Sequence, residues 1–341
     1  MTNERRPAAI RTLRPALLTV TANPSVDKAY RLPEFRLGTA QRVQDGLTLA
    51  AGKGVNVAKV VRQLGAPVTA TGLLAGFNGR FVEAQLQAIG VDCRFCWRPG
   101  ETRVSISLVD AKSGALTEVI EEGPQASAAD ADAMVARVGE LVSPGALVTL
   151  CGSLPPGLPT DTYPRMIRSI RERGATVLLD SSGGALWEGV RSGPDIVKPN
   201  LDELATLAAH WGLPGAGALP DFGRQGPEAP WPEALVRAVD RLRMYVPVAL
   251  CTFGARGAAL VTPYGIWELL PPPVRVISAV GAGDAVVGGL CVARLKGDGW
   301  LDAAVFAIAC GASATERLAT GEIDPSRVLW LKAGVRVRPL R

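Results

Sequence analysis

The chain has 341 residues, 48% of them hydrophobic and 20% charged, an ordinary composition for a soluble globular protein that can bury a large core. Its formal charge is +5, but aromatics make up only 5%, which argues against a nucleic-acid surface of basic and stacking residues and for attraction to small phosphorylated anions. The longest apolar runs, such as Ala303 to Ala309, fall well short of the roughly 18 residues a membrane span requires.

Arg5, Arg6, Arg11 and Arg14 precede a short apolar run, Ala16 to Val20, that leads without a small-residue cleavage site into Asn23-Pro-Ser-Val-Asp27. Residues 1–14 therefore read as a solvated basic tail and not as a signal peptide. A strand is predicted over Leu17 to Ala22, then a polar hairpin over 28–50. Next comes Ala51-Gly-Lys-Gly-Val-Asn-Val-Ala58, opening a helix over 54–64 whose Val57, Val60, Val61 and Leu64 share one face. This motif has Gly-Lys but not the G-x-x-x-x-G-K-[ST] spacing, which argues against a Walker-type ATPase. A second hairpin falls at 102–121, beginning Thr102-Arg-Val-Ser-Ile-Ser-Leu-Val109. Both hairpins interrupt the main rhythm and suit a small extra sheet that covers a reacting phosphate.

Strands at Ala146 to Cys151, Thr176 to Asp180, Asp195 to Val197 and Val248 to Thr252 then continue the alternation with helices, one of them marked by Tyr163, Met166, Ile167 and Ile170 and closed at Gly174. This is the βαβ rhythm of a mostly parallel, helix-covered sheet, in which ligands bind at the carboxyl ends of the strands. Gly212 to Pro232 is rich in proline and glycine and reads as a surface insertion. Six cysteines offer one C-x-x-C pair, Cys93 and Cys96, where zinc would want a second; free thiols in a reducing cytoplasm are expected. The single histidine, His210, is read as a helix end.

Near the C-terminus, Ser278-Ala-Val-Gly-Ala-Gly-Asp-Ala-Val-Val-Gly-Gly-Leu290 crowds four glycines around one carboxylate, and Val286, Val287 and Leu290 have helical spacing. A glycine loop entering a helix presents unpaired N–H groups and a positive dipole end, a place for phosphate. On its own the segment is equally a capped helix with Asp284 as the cap. Arg336, Arg338 and Arg341 belong to a basic C-terminal tail at 331–341.

Gly52-Lys-Gly-Val-Asn-Val-Ala58 and Val280-Gly-Ala-Gly-Asp284 resemble the two signatures of the ribokinase-like (PfkB-type) carbohydrate kinases. Asn23 to Asp27, Thr102-Arg103, Gly152-Ser-Leu-Pro-Pro-Gly157, Asp180-Ser-Ser-Gly183, Lys198-Pro-Asn-Leu-Asp-Glu203 and Thr252-Phe-Gly-Ala-Arg-Gly257 continue the likeness in order across roughly residues 17–325. The branch resembled contains 1-phosphofructokinase and tagatose-6-phosphate kinase. The resemblance implies a three-layer α/β fold over residues 15–330 with a mostly parallel central sheet and a small β-sheet lid. It also implies a phosphotransferase that uses ATP and Mg²⁺ on an alcohol group of a sugar phosphate. Fructose 1-phosphate is the expected acceptor, with tagatose 6-phosphate or fructose 6-phosphate as alternatives, and a homodimer is kept as a candidate assembly. A non-catalytic sugar-phosphate sensor and a nicotinamide oxidoreductase are the other classes weighed; the second lacks an acidic ribose ligand after its glycine motif.

By the same resemblance Asp284 is the general base, and Gly281, Ala282 and Gly283 hold the transferred phosphoryl group through their N–H groups. Asp27, Gly52, Lys53 and Asn56 face the sugar, and Arg103 pairs with the phosphate it already carries. Thr252, Gly254 and Gly257, with Gly281 and Gly283, flank the nucleotide, and Asn200 and Glu203 help place Mg²⁺ through water. Three positions depart from the family pattern: Ser278-Ala279 stand where Asp or Asn followed by Thr or Ser is usual, and Ala75 replaces a frequent glycine.

Overall fold

A computed structural model describes residues 16–43, 46–223 and 229–340. The predicted tail at 1–14 lies outside them. Strand β1 (Leu17–Thr21) is followed by a hairpin, β2 (Ser25–Leu32) and β3 (Gly46–Ala51), then by helix α1 (Lys53–Gln63), β4 (Thr69–Ala75), α2 (Gly76–Ala88) and two short strands, β5 (Asp92–Cys93) and β6 (Cys96–Arg98). A second hairpin, β7 (Arg103–Asp110) and β8 (Leu116–Ile120), precedes α3 (Ala128–Leu141). Alternation then runs through β9 (Leu147–Cys151), α4 (Thr162–Glu172), β10 (Thr176–Asp180), α5 (Gly183–Arg191), β11 (Ile196–Val197) and α6 (Leu201–His210). After α7 (Leu219–Phe222) and α8 (Glu233–Leu242) come β12 (Val248–Thr252), β13 (Ala258–Thr262), β14 (Gly265–Leu270), α9 (Ala282–Leu295), α10 (Trp300–Thr315), α11 (Pro325–Gly334) and β15 (Arg336–Pro339).

The main sheet has the order β15-β14-β13-β12-β11-β10-β9-β1-β4-β5, with β6 beside β4. Its centre, from β4 to β12, is parallel, while β13, β14 and β15 add antiparallel pairs at one end. The central strands read as apolar runs because helices cover both faces. Alternate residues show it: Leu18, Val20, Val148, Leu150, Val177 and Leu179 enter one core with α3, α4, α5, α6 and α8. Leu17, Leu147, Cys151 and Leu178 enter the other with α1, α2, α9 and α10. The result is three layers. Helix α4 shows the matching 3.6-residue pattern, burying Tyr163, Met166, Ile167 and Ile170 while its arginines face outward.

The two hairpins form one separate sheet, β3-β2-β7-β8, in which β2 and β7 run parallel from Ser25 opposite Arg103. Of the expected tail at 331–341, residue 341 lies outside the described residues, while the rest ends α11 and forms edge strand β15, whose Val337 pairs with Leu269. Alternating Arg and Val is what an edge strand tolerates, and Arg338 Nη1 lies 3.9 Å from Glu268 Oε2 on the neighbouring strand. The 212–232 stretch is less superficial than its composition suggests. Ala216, Leu219 and Phe222 are buried, and Phe222 meets Phe253 edge-on at 5.7 Å. His210 closes α6, as expected, and among the described residues the cysteines are free thiols and no helix is long and apolar enough to cross a membrane.

Candidate active site

Parallel strands deliver their carboxyl ends to one edge of the sheet, and the site is assembled there. Helix α1 starts beyond that edge. Its N-cap Gly52 has φ 111°, and a Cβ there would sit 2.9 Å from Pro24 Cα, so only glycine lets the helix begin this close to the chain leaving β1. Gly281, the N-cap of α9, has φ 80° and lies under Thr320, placing the N–H groups of Ala282 and Gly283 at the first turn. A Cβ on Gly283 would meet nothing closer than Lys198 Nζ at 3.4 Å, so the space beside that turn is open toward an ammonium.

Asp284 stands on this turn and is 6% exposed. Asn56 Nδ2 of α1 donates to its Oδ2 at 2.8 Å. Burial pushes the Asp284 carboxyl up to about 7, and nearby Asp180 adds to the rise, while Lys53, the Asn56 hydrogen bond and Lys198 oppose it.

Below lies an ion network. Lys53 Nζ donates to Asp180 Oδ1 at 2.9 Å and to Glu203 Oε1 at 3.0 Å, and Lys198 Nζ lies 3.3 Å from Asp180 Oδ1. Burial pushes the Lys53 ammonium down, but Asp180, Glu203 and Asp284 outweigh it and hold its pKa above the usual lysine value. Asn200 and Glu203 form a capping box at the start of α6: Asn200 Oδ1 accepts from Glu203 N at 2.8 Å and Glu203 Oε2 from Asn200 N at 2.9 Å. Asp180 Oδ2 is buried without a hydrogen-bond partner, as is Asn56 Oδ1.

A second group gathers at the base of the small sheet. Asp27 Oδ1 accepts from Ser25 Oγ at 2.7 Å, and burial raises its pKa against the pull of Arg103 and Lys59. Arg103 is half-buried and donates to Asn23 O at 3.3 Å and Glu121 O at 3.1 Å. Lys59, one turn beyond Asn56, donates to Thr320 O at 2.6 Å; burial lowers its pKa against Glu322, Asp27 and Asp284. Asp27 also lines a cavity of about 220 Å³ between this sheet and Val276 to Val280.

The structure thus joins Asn56, Lys53, Asn200, Glu203 and Asp284 in one cluster and Asp27 with Arg103 in another, with Lys59 between. Thr252 bridges to Asn200, and Gly254 and Gly257 bound the turn that follows it, in which Gly254 and Ala255 are exposed and Arg256 and Gly257 are buried. Lys53 points at carboxylates, not toward Asp27. Sequence reasoning assigned no role to Asp180, Lys198 or Lys59. Asp180 and Lys198 lay inside matching stretches, and Lys59 follows Asn56 by three positions on the same helix face, a usable signal.

The pfkB family of carbohydrate kinases matches residues 20–327. A 1-phosphofructokinase of Rhodobacter capsulatus is 35% identical over 329 residues, 95% of this chain and 98% of that protein. A tagatose-6-phosphate kinase of Staphylococcus epidermidis is 31% identical, covering 80% of this chain and 84% of its own. Among solved structures, phosphofructokinase-2 of Escherichia coli in complex with potassium superposes with a TM-score of 0.83 at 24% identity, over 94% of this chain and 99% of that one. Ribokinase of Arabidopsis thaliana superposes at 0.71 and 23%, over 94% and 99%.

Proposed function

The chain belongs to the pfkB family of carbohydrate kinases, and on that premise we propose that it transfers the γ-phosphoryl group of ATP to fructose 1-phosphate, giving fructose 1,6-bisphosphate. The observation that carries the reading is Asp284: a buried carboxylate with a pKa of about 7, on the first turn of α9, beside an open space that faces a lysine. A carboxylate poised near neutrality is a stronger base than an ordinary one and is still about half ionised at pH 7. The N–H groups of Gly281, Ala282 and Gly283 and the Lys198 ammonium stabilise the charge that develops on the transferred phosphoryl group.

Asp27 and Asn56 hydrogen-bond the sugar hydroxyls next to Gly52, and Arg103 with Lys59 takes the phosphate ester already on the sugar. Thr252, Gly254 and Gly257 flank the nucleotide. The unpartnered Asp180 Oδ2 and the adjoining Glu203 fit Mg²⁺, which favours carboxylate oxygen and keeps waters, with Asn200 acting through water. Bound there, Mg²⁺ would neutralise nucleotide phosphate charge.

The 31% identity to a tagatose-6-phosphate kinase keeps tagatose 6-phosphate as the second acceptor. An ADP-release assay across fructose 1-phosphate, fructose 6-phosphate, tagatose 6-phosphate and fructose decides between them. Fructose 1-phosphate should give the highest kcat/KM, and unphosphorylated fructose should fall at least tenfold below it, the scale of a lost charge-assisted pair. A preference for tagatose 6-phosphate replaces the acceptor; turnover of none of them overturns the reading.

A further inference from the structure

We propose that the Lys53 ammonium is a tethered stand-in for the divalent cation, holding Asp180 and Glu203 until the metal arrives and then released toward the sugar phosphate. This rests on the reading of Asp180 and Glu203 as the pair that holds the metal. Lys53 Nζ touches one oxygen of each, at 2.9 and 3.0 Å. Both Glu203 oxygens are engaged, Oε1 by Lys53 and Oε2 by Asn200 N–H, so a metal that bridges Asp180 Oδ2 and Glu203 competes with the ammonium for Oε1. Two cations that close repel each other, and the tethered one gives way.

Two further observations fit exchange better than a finished ion pair. Asp180 is fully buried and has Lys53 and Lys198 both on Oδ1, yet its Oδ2 has no partner. A buried carboxylate oxygen left unmatched is costly, and a second cation would match it. The Lys53 side chain, meanwhile, is 31% exposed against 0% for Asp180 and 8% for Glu203, so the cation is the member with room to leave. It is carried by a flexible four-carbon stem on the first residue of α1. On the same helix, two turns in, Lys59 already feels Asp27. An ammonium repelled by an arriving metal would find its next anion in a phosphate bound at that corner.

The consequence is a coupling. Metal on Asp180 and Glu203 frees a positive charge for the sugar phosphate, and a sugar phosphate that draws Lys53 away frees the carboxylates for metal; the two effects must be equal in size. Lys53 therefore sets both metal affinity and how strongly metal and sugar phosphate favour each other's binding. It also accounts for a lysine that the family likeness places toward the sugar but that the structure points at carboxylates.

The test needs neither nucleotide nor sugar. Mn²⁺ is added to the parent and to Lys53→Met at fixed pH, and unbound Mn²⁺ is read by electron paramagnetic resonance. Removing the resident charge should tighten Mn²⁺ binding by about tenfold or more. Equal or weaker binding by a Lys53→Met protein with parent-like circular dichroism overturns the proposal. If that variant does not fold, the parent alone decides: the rate at which acetic anhydride modifies Lys53, followed by mass spectrometry, should rise severalfold when Mg²⁺ is added, and an unchanged rate overturns it. Because no acceptor sugar is present, a protein that shows the exchange but phosphorylates no sugar phosphate leaves this inference standing and removes the functional reading alone.

Discussion

Asp284 connects the chemistry to the fold's dependence on pH. Its folded pKa of about 7 lies above the ordinary 3.8, so folding favours the protonated form. That contribution is complete below the unfolded value and is lost as pH rises through about 7. Asp284→Asn should therefore raise the melting temperature relative to the parent by more at pH 8 than at pH 5. It should also lower kcat by roughly 10²- to 10⁴-fold, the usual share of a positioned base. Near-normal turnover with unchanged ligand binding would return Asp284 to a purely structural role. In the parent, kcat/KM should fall on the acid side with a midpoint near 7. Arg103 carries a separate expectation. Arg103→Ala should raise the KM for the sugar phosphate more than tenfold, since a charge-assisted pair is worth on the order of 1.5–3 kcal/mol, and leave the KM for ATP unmoved. Kinetics that shift both constants equally would place Arg103 in the framework of the small sheet instead.

At the scale of elements, the start of α9 separates stability from activity. Gly283→Ala adds a methyl whose nearest neighbour is Lys198 Nζ at 3.4 Å, and alanine favours helix over glycine by up to about 1 kcal/mol. The variant should melt at or above the parent temperature while losing turnover, because the methyl fills the space proposed for the phosphoryl group. A variant that keeps full turnover would move that group elsewhere. The elements themselves were legible wherever one period dominated: β10 runs over Thr176–Asp180 as predicted, and α4 buries the four residues that marked it. Glycine-framed Asn56 and Asp284 were legible for the same local reason. The Lys53–Asp180 contact was not, since its partners are 127 positions apart and no local pattern encodes which strand ends become neighbours. Arg336 to Pro339 was read as a tail because charge masked a four-residue alternation, and β15 exists only because β14 offers it an edge.

For the whole molecule, the three layers and the small sheet leave one edge of strand ends open, and every proposed role falls along it. The two halves of the proposed reacting centre come from opposite ends of the chain: the Asn56–Asp284 hydrogen bond spans 228 positions. Contacts that distant form late, after much of the sheet has closed, and chains of this size often pass through partly ordered states. In refolding from denaturant, helical circular dichroism should recover before phosphotransfer does, with activity confined to the slowest phase; simultaneous recovery would show that α1 and α9 meet early. The same separation bears on how the protein is made. A chain still emerging from the ribosome, or broken off before α9, can order β1 and α1 yet holds no base for a hydroxyl proton, so on the proposed roles unfinished copies transfer no phosphoryl group.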